Sequence, residues 1–457
     1  MSKLIRATIL DEVIHVVQLE PLEANDACYT NLGKARSSSQ LQRMRRHLLD
    51  SKQKDIPFIH VAFVGHHGGG KTTELRQLEK ELAAEGFVPI HLDVDRQLQE
   101  DADYPDLLLW LVDSLVAEFQ QRGWPLERSQ IEGLTRWFGE RTIESDETTK
   151  KQIQLEAGAG GGIGGDWFGT CFKLRSFLKS SLSGNVEQRV KFRRVLRQWT
   201  ADLIDRVNKF LTHARAVLAA HGQPGRLLIV QDNLDRLQPE AAKRLFIESG
   251  KTLLTLQADF IWTAPVNMKL APFRLDAIFD TFHMPIPAPR LPNGTENQPA
   301  VAGLLELIAK RMDIAAVFDS PETARRLCFA CGGSLRDLLR LIQEARLTAL
   351  VEEKPRMDAA CVREAIQQFR LNYERSLIPG NLYYPVLAEI HLTKHDPAGT
   401  EIEAARERFS ELIFNGSVFQ YNGQDTWYDV HPVILEIPRF QAAHKVLRDS
   451  QQRIQPA

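Results

Sequence analysis

Phe58-Ile-His-Val-Ala-Phe-Val64 runs directly into Gly65-His-His-Gly-Gly-Gly-Lys71-Thr72, and the junction between them decides the fold. The first segment is a mostly apolar run without alternation, the pattern of a strand covered on both faces in a parallel sheet. The second fits G-x-x-x-x-G-K-[ST] at every fixed position. Glycines let backbone N–H groups turn inward around phosphate, and the helix expected from Lys71 presents its positive end to the same anion. Lys71 is placed to reach the β- and γ-phosphates and Thr72 to ligate magnesium. The candidate nucleotide contacts are therefore Gly65, His66, His67, Gly68, Gly69, Gly70, Lys71, Thr72 and Thr73. The expected ligand is a purine nucleoside triphosphate with magnesium, ATP first.

Working outward, residues 71–85 read as a helix, 88–94 as a second strand and 107–120 as a helix. This β-α-β-α order argues for an α/β domain. Further on, Leu227-Leu-Ile-Val230 enters Gln231-Asp232-Asn233-Leu234-Asp235. An apolar strand ending in a carboxylate is what a phosphate-loop site needs opposite its magnesium, so Asp232 joins Thr72 as a metal candidate. Asn233 stands where a water-activating glutamate often follows, and an amide cannot act as a base at neutral pH. Asp235 and Glu74 are the substitutes, and turnover is expected to be slow. Phe260-Ile-Trp-Thr263 is another strand ending in a hydroxyl, which can touch the γ-phosphate or the water. Gly332-Gly-Ser-Leu-Arg336 opens a helix, and Arg336 in its first turn can reach back to a phosphate. Ser249-Gly250-Lys251-Thr252 also holds G-K-T but lacks the leading glycine; it reads as part of a helix over 239–256.

The 457 residues suggest two to four domains, with 43% apolar and 25% charged residues, ordinary for a globular protein. A net charge of −2 gives no global attraction to nucleic acid or membrane. The five cysteines are too scattered for a disulfide framework, and Cys328-x-x-Cys331 reads as small apolar helix residues. Neither a signal peptide nor a membrane span is legible, so the expected location is the cytoplasm. Residues 1–57 read as an N-terminal extension, 58–290 as the α/β core and 291–375 as a helical unit. Within the core, about 141–220 is an insertion whose glycine-rich 157–165 stretch is a loop or hairpin turn. In 376–457, helices precede two aromatic runs separated by Asn422-Gly423, a hairpin signal. His431, beside Pro432, reads as structural. Arg406 and Arg408 share their helix with glutamates, which argues against strong phosphate contacts there. Arg274 and Arg290, after the last core strands, are weak candidates to act across a subunit boundary.

The phosphate loop, the Asp232 strand, the Thr263 strand end and the 332–340 helix occur in an order that resembles the AAA+ and STAND ATPases, especially the replication-initiator-like branch. The resemblance covers about 58–373. It implies a P-loop parallel sheet with a helical lid and a C-terminal winged helix. It further implies Lys71 and Thr72 for phosphate and magnesium, Asp232 for magnesium, Thr263 as first sensor and Arg336 as second sensor. Asp-Asn-Leu-Asp-Arg at 232–236 is similar to the STAND variant of the acidic motif. STAND proteins resemble switches that ATP drives toward assembly, often in bacterial defence or signalling, which implies another protein as partner. The rival implication is a DNA-binding or DNA-loading ATPase that uses the winged helix.

Overall fold

The computed structural model describes residues 6–54, 56–94, 102–143, 186–223, 225–270, 273–378, 380–397, 402–422 and 425–454. The glycine-rich 157–165 stretch and the Gly423 of the hairpin turn lie outside these residues.

Five strands form a parallel sheet: β1 (His60–Gly65), β2 (Phe87–Asp93), β3 (Arg226–Asp232), β4 (Asp259–Ala264) and β5 (Asp280–Met284), in the order β2-β3-β4-β1-β5. β4 therefore separates the phosphate-loop strand from the strand that ends in Asp232. Alternate side chains of each strand enter different cores, as the two-residue strand period requires. Ala62 and Val64 of β1, with Leu227 and Ile229 of β3, join a large cluster under the helices Tyr104–Gln121 and Thr200–Ala220. Val61, Phe63, Leu228 and Val230 point the other way, against the helices Gln40–Gln53 and Lys71–Ala84. Both faces are covered, which is why β1 and β4 are buried at every position.

The stretch 239–256 departs from the single helix expected. It is a short helix Pro239–Ala242, a π-helical turn Lys243–Glu248 and a second short helix Gly250–Leu253. The Ser249 amide donates to the Arg244 carbonyl, a wider loop than an α-helix makes. The G-K-T at 250–252 thus opens a short helix packed near Ile278 rather than a phosphate loop.

Helices Gln298–Arg311, Pro321–Ala330, Leu335–Val351 and Ala359–Ser376 form the lid. Cys328, Cys331 and Cys361 are buried within it. A C-terminal winged-helix module follows. It comprises helices Gly380–Thr393 and Ile402–Phe414, the antiparallel wing of β6 (Val418–Tyr421) and β7 (Trp427–Val430), and the helix Pro438–Ile454. One apolar core runs through the lid, this module and the N-terminal residues Ala7, Leu10, Val13, Val16 and Val17. The sequence offered the first 57 residues as an extension with helical spacing at Leu41 to Leu49, where the helix Gln40–Gln53 lies. Here their first helix, Leu10–Val16, is fastened to the lid by Gln343 and Arg346, which donate to the carbonyls of Val17 and Leu10. Among the described residues, no helix is long and apolar enough to cross a membrane.

Candidate nucleotide site

β1 ends at Gly65, and the chain turns through Gly68 and Gly70, both at positive φ (73° and 90°), before the helix begins at Lys71. Gly68 is also the closest approach of the lid. A Cβ there would lie 2.6 Å from Arg336 Cβ, and the Arg336 amide donates to the Gly68 carbonyl at 3.1 Å. Ser334 caps the lid helix by accepting from the Asp337 amide, which fixes where Arg336 starts.

Beneath the loop is a cavity of about 130 Å3. Arg36, Lys71, Arg236, Arg311 and Arg336 line it, against Glu20, Glu74 and Asp235, so its lining carries an excess of positive charge suited to an anion. Burial pushes the Arg336 guanidinium down, with Arg236 and Arg340 adding like-charge repulsion. An anionic ligand would relieve both.

The candidates fall into three groups. Lys71, Thr72, Asp232 and Asp235 come together. Lys71 is almost wholly buried. Its Nζ donates to the carbonyls of Gly65 (2.7 Å) and His66 (2.8 Å) and pairs with Asp235 Oδ2 at 2.7 Å. Burial pushes the Asp232 carboxyl up, but His91, Thr72 and the Asn233 amide outweigh it and hold it below the usual carboxylate range. Asp232 Oδ1 accepts from the Asn233 amide at 2.7 Å, whereas Oδ2 is buried and makes no hydrogen bond.

A second group is present but already engaged. Glu74 lines the cavity, but Arg36 holds it at 2.5 Å and the Tyr29 hydroxyl donates to it at 3.0 Å. Thr73 accepts from the Leu22 amide. Thr263 does not line the cavity: it is fully buried, accepting from the Leu234 amide at 3.1 Å and donating to the Gln231 carbonyl at 3.2 Å. Its hydroxyl holds the turn that carries Asp235.

The third group is the histidines. His66 Nε2 accepts from the amide of Gln420 in β6 at 2.7 Å, and its ring meets Phe419 edge-on at 5.3 Å. Burial, with help from Lys71 and His67, pushes its pKa down to about 3. His67 bonds the Asp235 carbonyl at 2.5 Å, and its ring meets Phe414 edge-on. The wing module therefore touches the phosphate loop directly. His431 is fully buried, stacked on Tyr373, and accepts from the Val433 amide, as a structural histidine does.

Several site residues escaped the sequence reading. Arg36, from the N-terminal segment, pairs with Glu74 and donates to the Gly69 carbonyl at 2.8 Å. The Thr30 hydroxyl lies beside the cavity, buried and without a partner. No motif flags either residue. His91 and Asp93, at the end of β2, face Asp232 across the β2–β3 register that pairs Asp93 with Asp232.

A strand inserted between the phosphate-loop strand and the acid-bearing strand, a glycine loop capped by a helical lid, and a C-terminal winged helix define a P-loop fold of the AAA+ kind. Among solved structures, the chain is similar to the ORC2 protein of Aeropyrum pernix in its ADPNP–ADP complexes, at 12% identity over 96% of this chain and 97% of that one, with a TM-score of 0.44. It is similar to A. pernix ORC1 in complex with DNA at 13% identity, 99% coverage of both chains and a TM-score of 0.38. It is also similar to the RuvB Holliday junction branch migration motor of Thermotoga maritima, at 11% identity, 94% and 99% coverage and a TM-score of 0.36. No protein-family model matches the sequence, nor does any curated protein.

Proposed function

We propose that the chain is an ATP-binding, slowly hydrolysing ATPase of STAND type, a switch in which nucleotide changes the conformation and drives assembly with further copies or an effector protein. The observation that carries this reading is the hydrogen bond from the Gln420 amide of the wing to His66 in the phosphate loop. It couples the C-terminal module to the residues that would grip phosphate.

Magnesium-ATP suits the cavity on three counts: the cationic lining, the glycine turn, and the unbonded Asp232 Oδ2 in a carboxyl that Thr72 also engages. Magnesium, when bound with the nucleotide, neutralises charge on the β- and γ-phosphates; Thr72 and Asp232 would hold it. Lys71 would exchange Asp235 for the phosphates, and Arg336 would meet the γ-phosphate from the lid. Freed from Lys71, Asp235 is the better candidate to orient the attacking water, since Glu74 is tied to Arg36 and Asn233 is no base. Thr263 would act by positioning that turn. The Asp235 carbonyl also holds His67, so a shift of the 234–236 turn would be felt at the histidines and at the wing.

A DNA-loading role is the rival. It has less support, because every residue of β6 is buried and Phe419 and Gln420 are spent on the phosphate loop. The test is molecular size with ATP, with ADP and without nucleotide, each with and without DNA, for wild type and Lys71→Ala. A larger species with ATP alone, missing in a Lys71→Ala variant that no longer binds ATP, is the expected result. Turnover stimulated by DNA, with DNA affinity falling steeply in salt, favours the rival instead. Undiminished ATP binding by Lys71→Ala contradicts both.

A further inference from the structure

Next to the phosphate loop, at the ends of β2 and β3, lies a second cluster that shares Asp232 with the nucleotide site and adds His91 and Asp93, which that site does not use. His91 Nε2 stands 3.5 Å from Asp93 Oδ1 and 3.5 Å from Asp232 Oδ2. The ligand atoms of the three residues all lie within 4.8 Å of one another. On the far side of the ring, His91 Nδ1 contacts Glu79 Oε1 at 2.6 Å.

We propose that His91, Asp93 and Asp232 form a site for a divalent transition metal with the ligand preferences of zinc, and that Glu79 is the positioning residue behind His91. Three observations carry this. The first is distance. Two ligands about 2.1 Å from a tetrahedral zinc ion lie about 3.4 Å apart, so both 3.5 Å separations match the edge of such a polyhedron and are too long for good hydrogen bonds. The second is the orphaned atoms. Asp232 is 1% exposed, and its Oδ2 makes no hydrogen bond; His91 Nε2, facing it, makes none either. At 3.5 Å the two atoms pair only loosely with each other, and a metal ion between them would give each a shorter partner. The third is the ring's orientation. A carboxylate accepting from the distal N–H of a histidine fixes the tautomer with its lone pair toward the metal, the usual outer-shell arrangement. The Asn233 side-chain amide in turn donates to Asp93 Oδ1 at 2.9 Å and steadies the exposed ligand.

The donor set distinguishes this ion from the nucleotide's magnesium. Magnesium prefers oxygens and keeps several waters, whereas imidazole with two carboxylates and an open fourth position suits zinc. A dication also brings one more positive charge than a proton into a cluster of three carboxylates. Asp232 is shared: Oδ2 serves this site, while the carboxyl as a whole borders the phosphate loop.

The proposal does not rest on ATP binding, and its test keeps the two apart. Zinc is titrated calorimetrically into the nucleotide-free full chain at neutral pH with magnesium in excess. One equivalent should bind to wild type. His91→Ala and Asp93→Asn should each weaken it at least tenfold, and Glu79→Gln by about 10- to 100-fold. Asp93 has a half-exposed side chain, so Asp93→Asn keeps the fold should His91→Ala lose it. Lys71→Ala should lose ATP yet keep zinc. No stoichiometric zinc on wild type, or affinity unchanged in Asp93→Asn, overturns the proposal.

Discussion

Arg36 and Glu74 show how a single pair can fix a site. Their ion pair is almost fully buried, and Arg36 also donates to the Gly69 carbonyl, so one side chain joins the N-terminal segment to the phosphate loop. Removing one partner of such a pair leaves an uncompensated buried charge, at a cost of about 3–5 kcal/mol. Arg36→Ala should therefore lower the midpoint of thermal unfolding sharply, and Arg36→Ala with Glu74→Ala should recover part of the loss. A double variant no more stable than the single one contradicts the pairing. Lys71, Thr72 and Asp232 were legible because their chemistry is local: a loop spacing and a strand end. Arg36 and His91 were not, because each meets its partner only after the chain has folded back, Arg36 from 38 residues away. Thr263 was legible as a polar strand end, but what its hydroxyl holds depends on β3 and β4 being neighbours.

His66 provides a pH test at the same scale. Burial holds its imidazole neutral, with a pKa of about 3 in the folded chain against about 6.5 when exposed. The unfolded chain thus takes up a proton below about pH 6.5 that the folded chain refuses. Its contribution is fully present above that pH and is lost as pH falls toward 3, by up to about 1.4 kcal/mol per unit. Between pH 7.5 and 5, wild type should lose more thermal stability than His66→Gln. Parallel losses in the two proteins contradict the assignment.

Among the elements, the strands and the phosphate-loop helix followed apolar pattern, because burial on both faces leaves a plain signature in sequence. The break in 239–256 had no such signature. The short helix after the break packs closely on its neighbours: a Cβ on Gly250 would stand 2.8 Å from Ile278 Cγ2. Alanine has the better helix propensity by about 1 kcal/mol, but overpacking costs about 1–3 kcal/mol. Gly250→Ala should therefore lower the unfolding midpoint; a rise would mean that Ile278 yields freely. The N-terminal helix was missed because it is short and its apolar face finds a partner only in the lid.

At the scale of the molecule, the N-terminal segment, the lid and the winged helix share one core, and the wing reaches the phosphate loop from it. The sequence indicated each of these parts but not their contact, because nothing in an aromatic hairpin specifies which loop it will cover. The proposed switch lives in that contact. Amide hydrogen exchange across residues 418–421, with and without a non-hydrolysable ATP analogue and magnesium, tests it most directly. The coupling predicts faster exchange at the Gln420 amide when the analogue binds, with Lys71→Ala unresponsive. Analogue binding that leaves exchange in this strand unchanged would contradict it.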